Sequence, residues 1–138
     1  MGLTDDDRKA IVCYRIEKAF HTLKEAKDVL SLGHLSLCAN RLYYSAFYMA
    51  SALLINHGHS VNTHAGVLRL INLYFVKEGK LDKNTARLLN ILFSMRQQGD
   101  YGDTFDYEKD EIEPLIKKDR INAFFFAISD RYTTRLLE

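Results

Sequence analysis

The stretch LSLCANRLYYSAFYMASALLIN, residues 35–56, decides the fold because it is apolar on almost every side of a helix. A helix that is hydrophobic all round is normally surrounded by other helices. Gly58 follows it and is expected to close the helix, since glycine adopts the left-handed conformation without steric cost. We therefore predict that residues 35–56 form the central helix of a helical bundle.

Four more helices are predicted around this centre, since no β-type alternation lasts more than a few residues. The first opens with a capping box at Thr4 and Asp7 and ends at Gly33. The others begin at Thr63, at Asp82 or Asn84, and at Asp110, where Pro114 is placed in the first turn. Their apolar residues recur three and four positions apart. The fold class is all-α, with five helices in one domain covering residues 1–138.

Composition limits the function classes. The 138 residues include 19 basic and 18 acidic side chains, a net charge of +1, so any nucleic-acid contact must come from a local patch. Cys13 and Cys38 lack metal-ligand spacing and are interpreted as small core residues in a reducing compartment. The start of the chain has no apolar signal-peptide core, and no apolar run reaches membrane-spanning length. We expect a cytoplasmic protein without membrane contact.

Two further features bear on metals and partners. His57 and His59 flank Gly58, but an HxH pair without a third ligand predicts no metal, and nothing indicates a cofactor. Phe124, Phe125 and Phe126 spread aromatic surface beyond one stripe of the last helix. A small bundle hides such surface best against a second subunit, so a homodimer is expected, although a buried helix would give the same pattern.

The stretch MRQQGDYGD, residues 95–103, follows the fourth helical pattern. Gly99 is predicted to stop the helix, which leaves Arg96, Asp100, Tyr101 and Asp103 unexplained. Arg96 can interact favourably with the negative C-terminal end of the helix dipole, or it can form an ion pair with Asp100 four residues on. Alternatively, its guanidinium binds a phosphate. In that interpretation Asp100 and Tyr101 orient Arg96 or contact the rest of the ligand.

Candidates elsewhere complete a possible site. Asn40, Arg41, Tyr43 and Tyr44 form an unusual polar set in an apolar helix. Asn40, Tyr43 and Tyr44 share one face and are interpreted as a polar wall around Arg96, or simply as core tyrosines with satisfied hydroxyls. His64 lies in the first turn of the third helix, where the dipole disfavours its protonated form. It is either a proton carrier or a capping or packing histidine.

Four segments together resemble the HEPN domain family, in its branch of small stand-alone proteins. They are NRLYYSAFYMASALL, THAGV, FVKEGKL and RQQGDYGD, in this order, and the similarity runs from about Leu30 to the final helix. The resemblance implies an up-and-down bundle of four or five helices that dimerises. It also implies a link to metal-independent ribonucleases and to toxins encoded beside a minimal nucleotidyltransferase antitoxin.

The chain departs from the family's catalytic pattern of an arginine, four to six residues and a histidine. The arginine falls on Arg96, but Tyr101, Gly102 and Asp103 occupy the following positions. Two hypotheses follow. One is a ribonuclease that uses Arg96 with His64, Asp100 and Tyr101 in a dimer cleft. The other is a non-catalytic RNA- or nucleotide-binding module, or the partner of a nucleotidyltransferase, with Tyr101 a candidate acceptor of AMP by resemblance.

A third possibility is that the Arg96 corner is an inward structural network and that the protein acts only through dimer contacts. Whether the chain is an enzyme therefore stays open at the level of sequence. An unshifted tyrosine titrates near 10 and an aspartate near 4, so neither replaces the missing histidine at neutral pH without a large shift. His64 would have to lie beside Arg96, which depends on how the third and fourth helices pack.

Overall fold

The structure is a computed structural model that describes residues 3–101, 107–117 and 120–136, with side chains described up to residue 98 in the first range and up to residue 130 in the last. All secondary structure in these ranges is helical. The elements are α1 (Asp5–Ser31), α2 (Leu35–Asn56), α3 (His64–Ile71), which continues as a π-helical turn (Asn72–Val76), α4 (Lys83–Tyr101), α5 (Lys109–Lys117) and α6 (Arg120–Leu136).

Helix α2 is the centre of the bundle, as predicted. It packs against α1, α3, α4, α5 and α6, and its contact with α1 is the most extensive in the fold. Residues on all sides of it are fully buried, among them Leu42, Tyr43, Met49 and Leu53. The three-residue turn between α1 and α2 contains Gly33 at a φ of 81°, which lets the two helices run side by side.

The caps predicted for α1, α3 and α4 are present. Thr4 and Asp7 form a capping box at the start of α1. Thr63 caps α3, with its Oγ1 accepting a hydrogen bond from the Gly66 amide at 2.9 Å. Asp82 precedes α4, and its carboxylate accepts a hydrogen bond from the Asn84 amide at 3.4 Å. These local signals fix where each helix begins, and therefore where the residues in its first turn lie.

The prediction for the C-terminal part was wrong in two respects. Two helices, α5 and α6, lie where one last long helix was predicted, so the described residues contain six helices. Pro114 is the sixth residue of α5 and not part of its first turn. The helix begins earlier because the Glu111 carboxylate accepts a hydrogen bond from the Glu108 amide at 3.1 Å. Pro114 then removes a hydrogen bond to the carbonyl of Asp110, which lies on an exposed first turn.

Burial bears on two further expectations. Phe124 and Phe125 are buried within the chain and, of the three phenylalanines, Phe126 alone is exposed, at 76%, while the homodimer stays a prediction. Cys38 is buried, and burial raises the pKa of its thiol to about 12, but Cys13 is exposed and not a core residue. Within the described part of the chain, none of the helices is long and apolar enough to cross a membrane.

Candidate functional site

Arg96 lies against the two tyrosines of α2 that the sequence placed on one face. Its guanidinium carbon is 5.7 Å from the ring centre of Tyr43 and 5.4 Å from that of Tyr44. The arginine is on the C-terminal half of α4, which packs directly against α2. Contacts of this kind hold a cation over the negative face of a ring.

His64 joins the same cluster from α3. The hydroxyl of Tyr43 and Nδ1 of His64 are hydrogen-bonded at 2.5 Å, and the imidazole stacks on Phe47 with 4.5 Å between ring centres. Tyr44 contacts the imidazole edge-on at 5.8 Å. The packing of α3 and α4 against α2 therefore brings His64 and Arg96 to the same pair of tyrosines, the arrangement on which the ribonuclease hypothesis depended.

The electrostatics of the cluster favour neutral Tyr43 and neutral His64. Burial raises the pKa of Tyr43 well above its ordinary value; the Arg96 charge opposes this effect and Tyr44 adds to it. Burial lowers the pKa of His64 below 6.5, and the positive charge of Arg96 lowers it further. The N-terminal end of the α3 dipole acts in the same direction. The imidazole is thus unprotonated at neutral pH.

We expect Arg96→Gln to raise the pKa of His64 toward 6.5, measured from the imidazole signals in an NMR pH titration, because the neighbouring positive charge is lost. The exposed residue Arg87 on the same helix provides the matched control, and Arg87→Gln should leave this pKa unchanged. Equal titration curves in both variants would contradict a close approach of Arg96 to His64.

The lowered pKa of His64 also makes folding pH-dependent. The unfolded chain takes up a proton near pH 6.5, whereas the folded chain does so only at lower pH. The stability from the neutral imidazole is therefore fully present above pH 6.5 and is lost as the pH falls through the pKa of the folded protein.

Arg41 and Asn40 lie at another edge of the cluster formed by Arg96, Tyr43, Tyr44 and His64. The Arg41 guanidinium donates two hydrogen bonds to Oδ1 of Asn40, at 3.1 and 2.7 Å, and lies 3.5 Å from a carboxylate oxygen of Glu25. Its central carbon is also 5.5 Å from the ring centre of Tyr44. Tyr44 therefore contacts two guanidinium groups, and Asn40 positions one of them.

Three predicted site residues cannot be placed fully. Asp103 lies outside the described residues, and so do the side chains of Asp100 and Tyr101. Their backbone shows that the helix stop predicted at Gly99 was wrong, because α4 continues through Tyr101. The expected pairing of Arg96 with Asp100, and the proposed roles of Asp100, Tyr101 and Asp103, stay predictions.

The sequence interpretation missed two residues at this site. The ring of Phe93 lies 5.6 Å from that of Tyr43 and 6.4 Å from that of His64. Its position three residues before Arg96, on the same side of α4, could have indicated it. Tyr107 is buried and donates a hydrogen bond to the carbonyl of Met95. It fixes the chain after the RQQGDYGD stretch to the helix beside Arg96, and no spacing in the sequence predicts this contact.

The loop histidines are not part of the cluster. Nδ1 of His57 is 3.0 Å from the carbonyl oxygen of Leu53, and His59 stacks on Tyr74 with 4.3 Å between ring centres. Across the described residues, no three His, Cys, Asp or Glu side chains are grouped as a metal site would need.

The cluster contains groups suited to an anionic ligand. Arg96 supplies planar N–H donors and a positive charge, and Tyr44 supplies a half-buried aromatic face. His64 is hydrogen-bonded through Nδ1, so Nε2 is its other ring nitrogen. Depending on the tautomer, Nε2 can donate or accept a proton. The arrangement can therefore bind a phosphate and exchange a proton next to it.

Known proteins resemble this chain over most of its length. Residues 12–120 match the HEPN domain family. A UPF0332 protein of Thermotoga maritima is 36% identical over 113 residues, which cover 82% of this chain and 86% of that protein. Two proteins of Methanocaldococcus jannaschii, named "Putative toxin MJ0142" and "Putative toxin MJ0605", are each 32% identical, over 77% and 83% of this chain and 72% and 85% of their own lengths.

Proposed function

Because this chain belongs to the HEPN domain family, we propose that it is a toxin-like module that binds RNA through a phosphate-binding corner at Arg96. The observation that carries this proposal is the convergence of Arg96, Tyr44 and His64 from three different helices. Here the charge lies beside an accessible aromatic face and a neutral imidazole, which together suit a phosphate and its attached nucleoside.

Binding of a labelled single-stranded RNA of twelve nucleotides, in EDTA, tests the proposal. We expect Arg96→Ala to weaken binding about 10- to 100-fold, as for the loss of a charged hydrogen-bonding group. The slope of log K against log salt should decrease by about 0.7, the contribution of one phosphate contact in a single strand. Arg96→Lys should keep the slope and still bind more weakly than wild type, because the planar fork is lost.

Arg87→Ala, which removes an exposed arginine from the same helix, is the control and should bind as wild type. Circular dichroism and the thermal midpoint establish that each variant is folded. A folded Arg96→Ala variant with wild-type affinity would contradict the proposal. If the same variant were destabilised, the result would favour the interpretation of Arg96 as part of an inward structural network.

One observation favours a second candidate function, a metal-independent endoribonuclease. The family's histidine is absent after Arg96, but His64 brings a neutral imidazole to the same tyrosines from α3. RNA cleavage by internal attack needs a base for the 2′-hydroxyl, a positive group for the phosphorane and an acid for the leaving oxygen. His64 would accept the proton of the 2′-hydroxyl and then deliver it to the leaving 5′-oxygen, while Arg96 would stabilise the charge of the phosphorane and Tyr43 would orient the imidazole as a positioning residue.

The names of the two archaeal relatives support a toxin-like role, and a minimal nucleotidyltransferase as the partner of such a toxin is proposed from the family resemblance alone. In that role Tyr101 is the candidate acceptor of AMP, and a homodimer would place two copies of the Arg96 corner at one cleft. Both statements extend the family resemblance, and the described side chains do not bear on them. The Arg96 proposal depends on neither, because its donors and rings belong to one chain.

A further inference from the structure

A pocket lies between α1 and α2, next to the Arg96 cluster. Its volume is about 470 Å³, within the range of small-ligand pockets. Its lining is apolar, aromatic and basic without any acidic side chain, and consists of Ala10, Ile11, Tyr14, Arg15, Lys18 and Tyr48. Nothing in the Arg96 cluster uses these residues.

Two cations in this pocket lie beside two tyrosines. The Lys18 ammonium is 4.9 Å from the ring centre of Tyr48 and 5.8 Å from that of Tyr14. Arg15 donates a hydrogen bond to the hydroxyl of Ser51 at 3.1 Å. Among the described residues, neither cation lies within ion-pair distance of a carboxylate. Tyr14 is 62% exposed, which leaves ring surface available for stacking.

The pocket is continuous with the Arg96 cluster along α2. Tyr48 follows Tyr44 by one helical turn, and their ring centres are 5.9 Å apart. Tyr44 in turn lies 5.4 Å from the guanidinium carbon of Arg96. A path of aromatic and basic side chains therefore runs from Arg96 through the adjacent rings of Tyr44 and Tyr48 to Lys18 and Tyr14. Such a combination of rings and cations is typical of surfaces that bind single-stranded nucleic acid by stacking bases and contacting phosphates.

The geometry points to a second nucleotide subsite at Tyr14, Lys18 and Tyr48, which binds the base and phosphate of a nucleotide that flanks the one at Arg96. This inference rests on the proposed RNA binding and extends it to a strand of several nucleotides. Tyr14 stacks on the base, while Lys18 and Arg15 contact phosphate. Stacking needs an unpaired base, so the ligand is single-stranded RNA.

The test measures the affinity of the full chain for dodecauridylate by fluorescence anisotropy. Tyr14→Ala should weaken binding about 5- to 100-fold, the range for loss of one stacked base, and Tyr14→Phe should restore it because the ring is kept. Lys18→Ala should reduce the salt slope by about 0.7. Lys24→Ala, an exposed lysine on the same helix, is the control and should change neither quantity. A twelve-base-pair RNA duplex should compete poorly.

Each contrary outcome has a distinct meaning. If Arg96→Ala weakens binding but Tyr14→Ala and Lys18→Ala do not, the second subsite is overturned and the proposed function stands. If wild type does not bind dodecauridylate, both are overturned. Equal competition by the duplex would exclude base stacking. A change in oligomeric state on gel filtration by Tyr14→Ala, with unchanged RNA affinity, would identify the surface as a protein contact instead.

Discussion

Leu53→Ala should lower the free energy of unfolding by about 2 to 5 kcal/mol, measured by urea denaturation at constant m-value. Leu53 is fully buried in α2, the helix against which every other helix packs. Alanine keeps the helix propensity, so the loss comes from the removed apolar contacts and the cavity that remains. The whole stability of a domain of this size is of the order of 5 to 15 kcal/mol, so this variant should be close to unfolding at elevated temperature.

Leu37→Ala provides the matched control because Leu37 lies in the same helix but is 47% exposed. Its effect should stay within about 0.5 kcal/mol of zero, as for other surface substitutions. Similar losses at the two positions would contradict the central position of α2. A decrease in the m-value of Leu53→Ala would show that the variant had lost cooperative packing, which a simple cavity does not cause.

The contrast between these two leucines reflects what sequence can predict of this fold. The apolar residues of α2 surround the helix axis, so its central position is visible without knowledge of its neighbours. The C-terminal region is different, because apolar residues continue from Leu115 and Ile116 in α5 to Phe124 and Ile128 in α6, a pattern that predicts one long helix where the described residues contain two. The exposure of Cys13 could not be predicted either, because this residue directly follows a buried residue of α1. Helix α1 packs mainly against α2 and buries only one stripe of its side chains.

The candidate site likewise contains some contacts that the sequence predicts and others that it does not. Tyr43 and Tyr44 were predicted to share a face with Asn40 because spacing within one helix determines that relation. The meeting of Arg96 with His64 depends on how α3 and α4 pack against α2, so the sequence could name both residues without joining them. The Lys18 contact with Tyr48 links α1 to α2, and the individual patterns of those helices give no sign of it.

His64→Ala should lower the rate of RNA cleavage by about 10²- to 10⁴-fold if the protein is a ribonuclease, since this is the range for loss of a general acid or base. RNA affinity should change far less, because Arg96 supplies the phosphate contact. In wild type, the rate should fall as the pH drops below the pKa of His64, which burial and Arg96 hold below 6.5. Cleavage in EDTA, with binding measured in parallel, separates these effects.

His21→Ala is the control for removal of an imidazole, because His21 is exposed on α1 and should not affect the rate. Tyr43→Phe tests the positioning role: it keeps the ring but removes the hydroxyl that is hydrogen-bonded to Nδ1 at 2.5 Å. We expect a lower kcat, an altered pH profile and little change in KM, because a misoriented imidazole affects proton transfer more than binding. Unchanged cleavage by a folded His64→Ala variant would exclude His64 as the proton carrier, and cleavage would then require Asp100 or Tyr101 with a strongly shifted pKa.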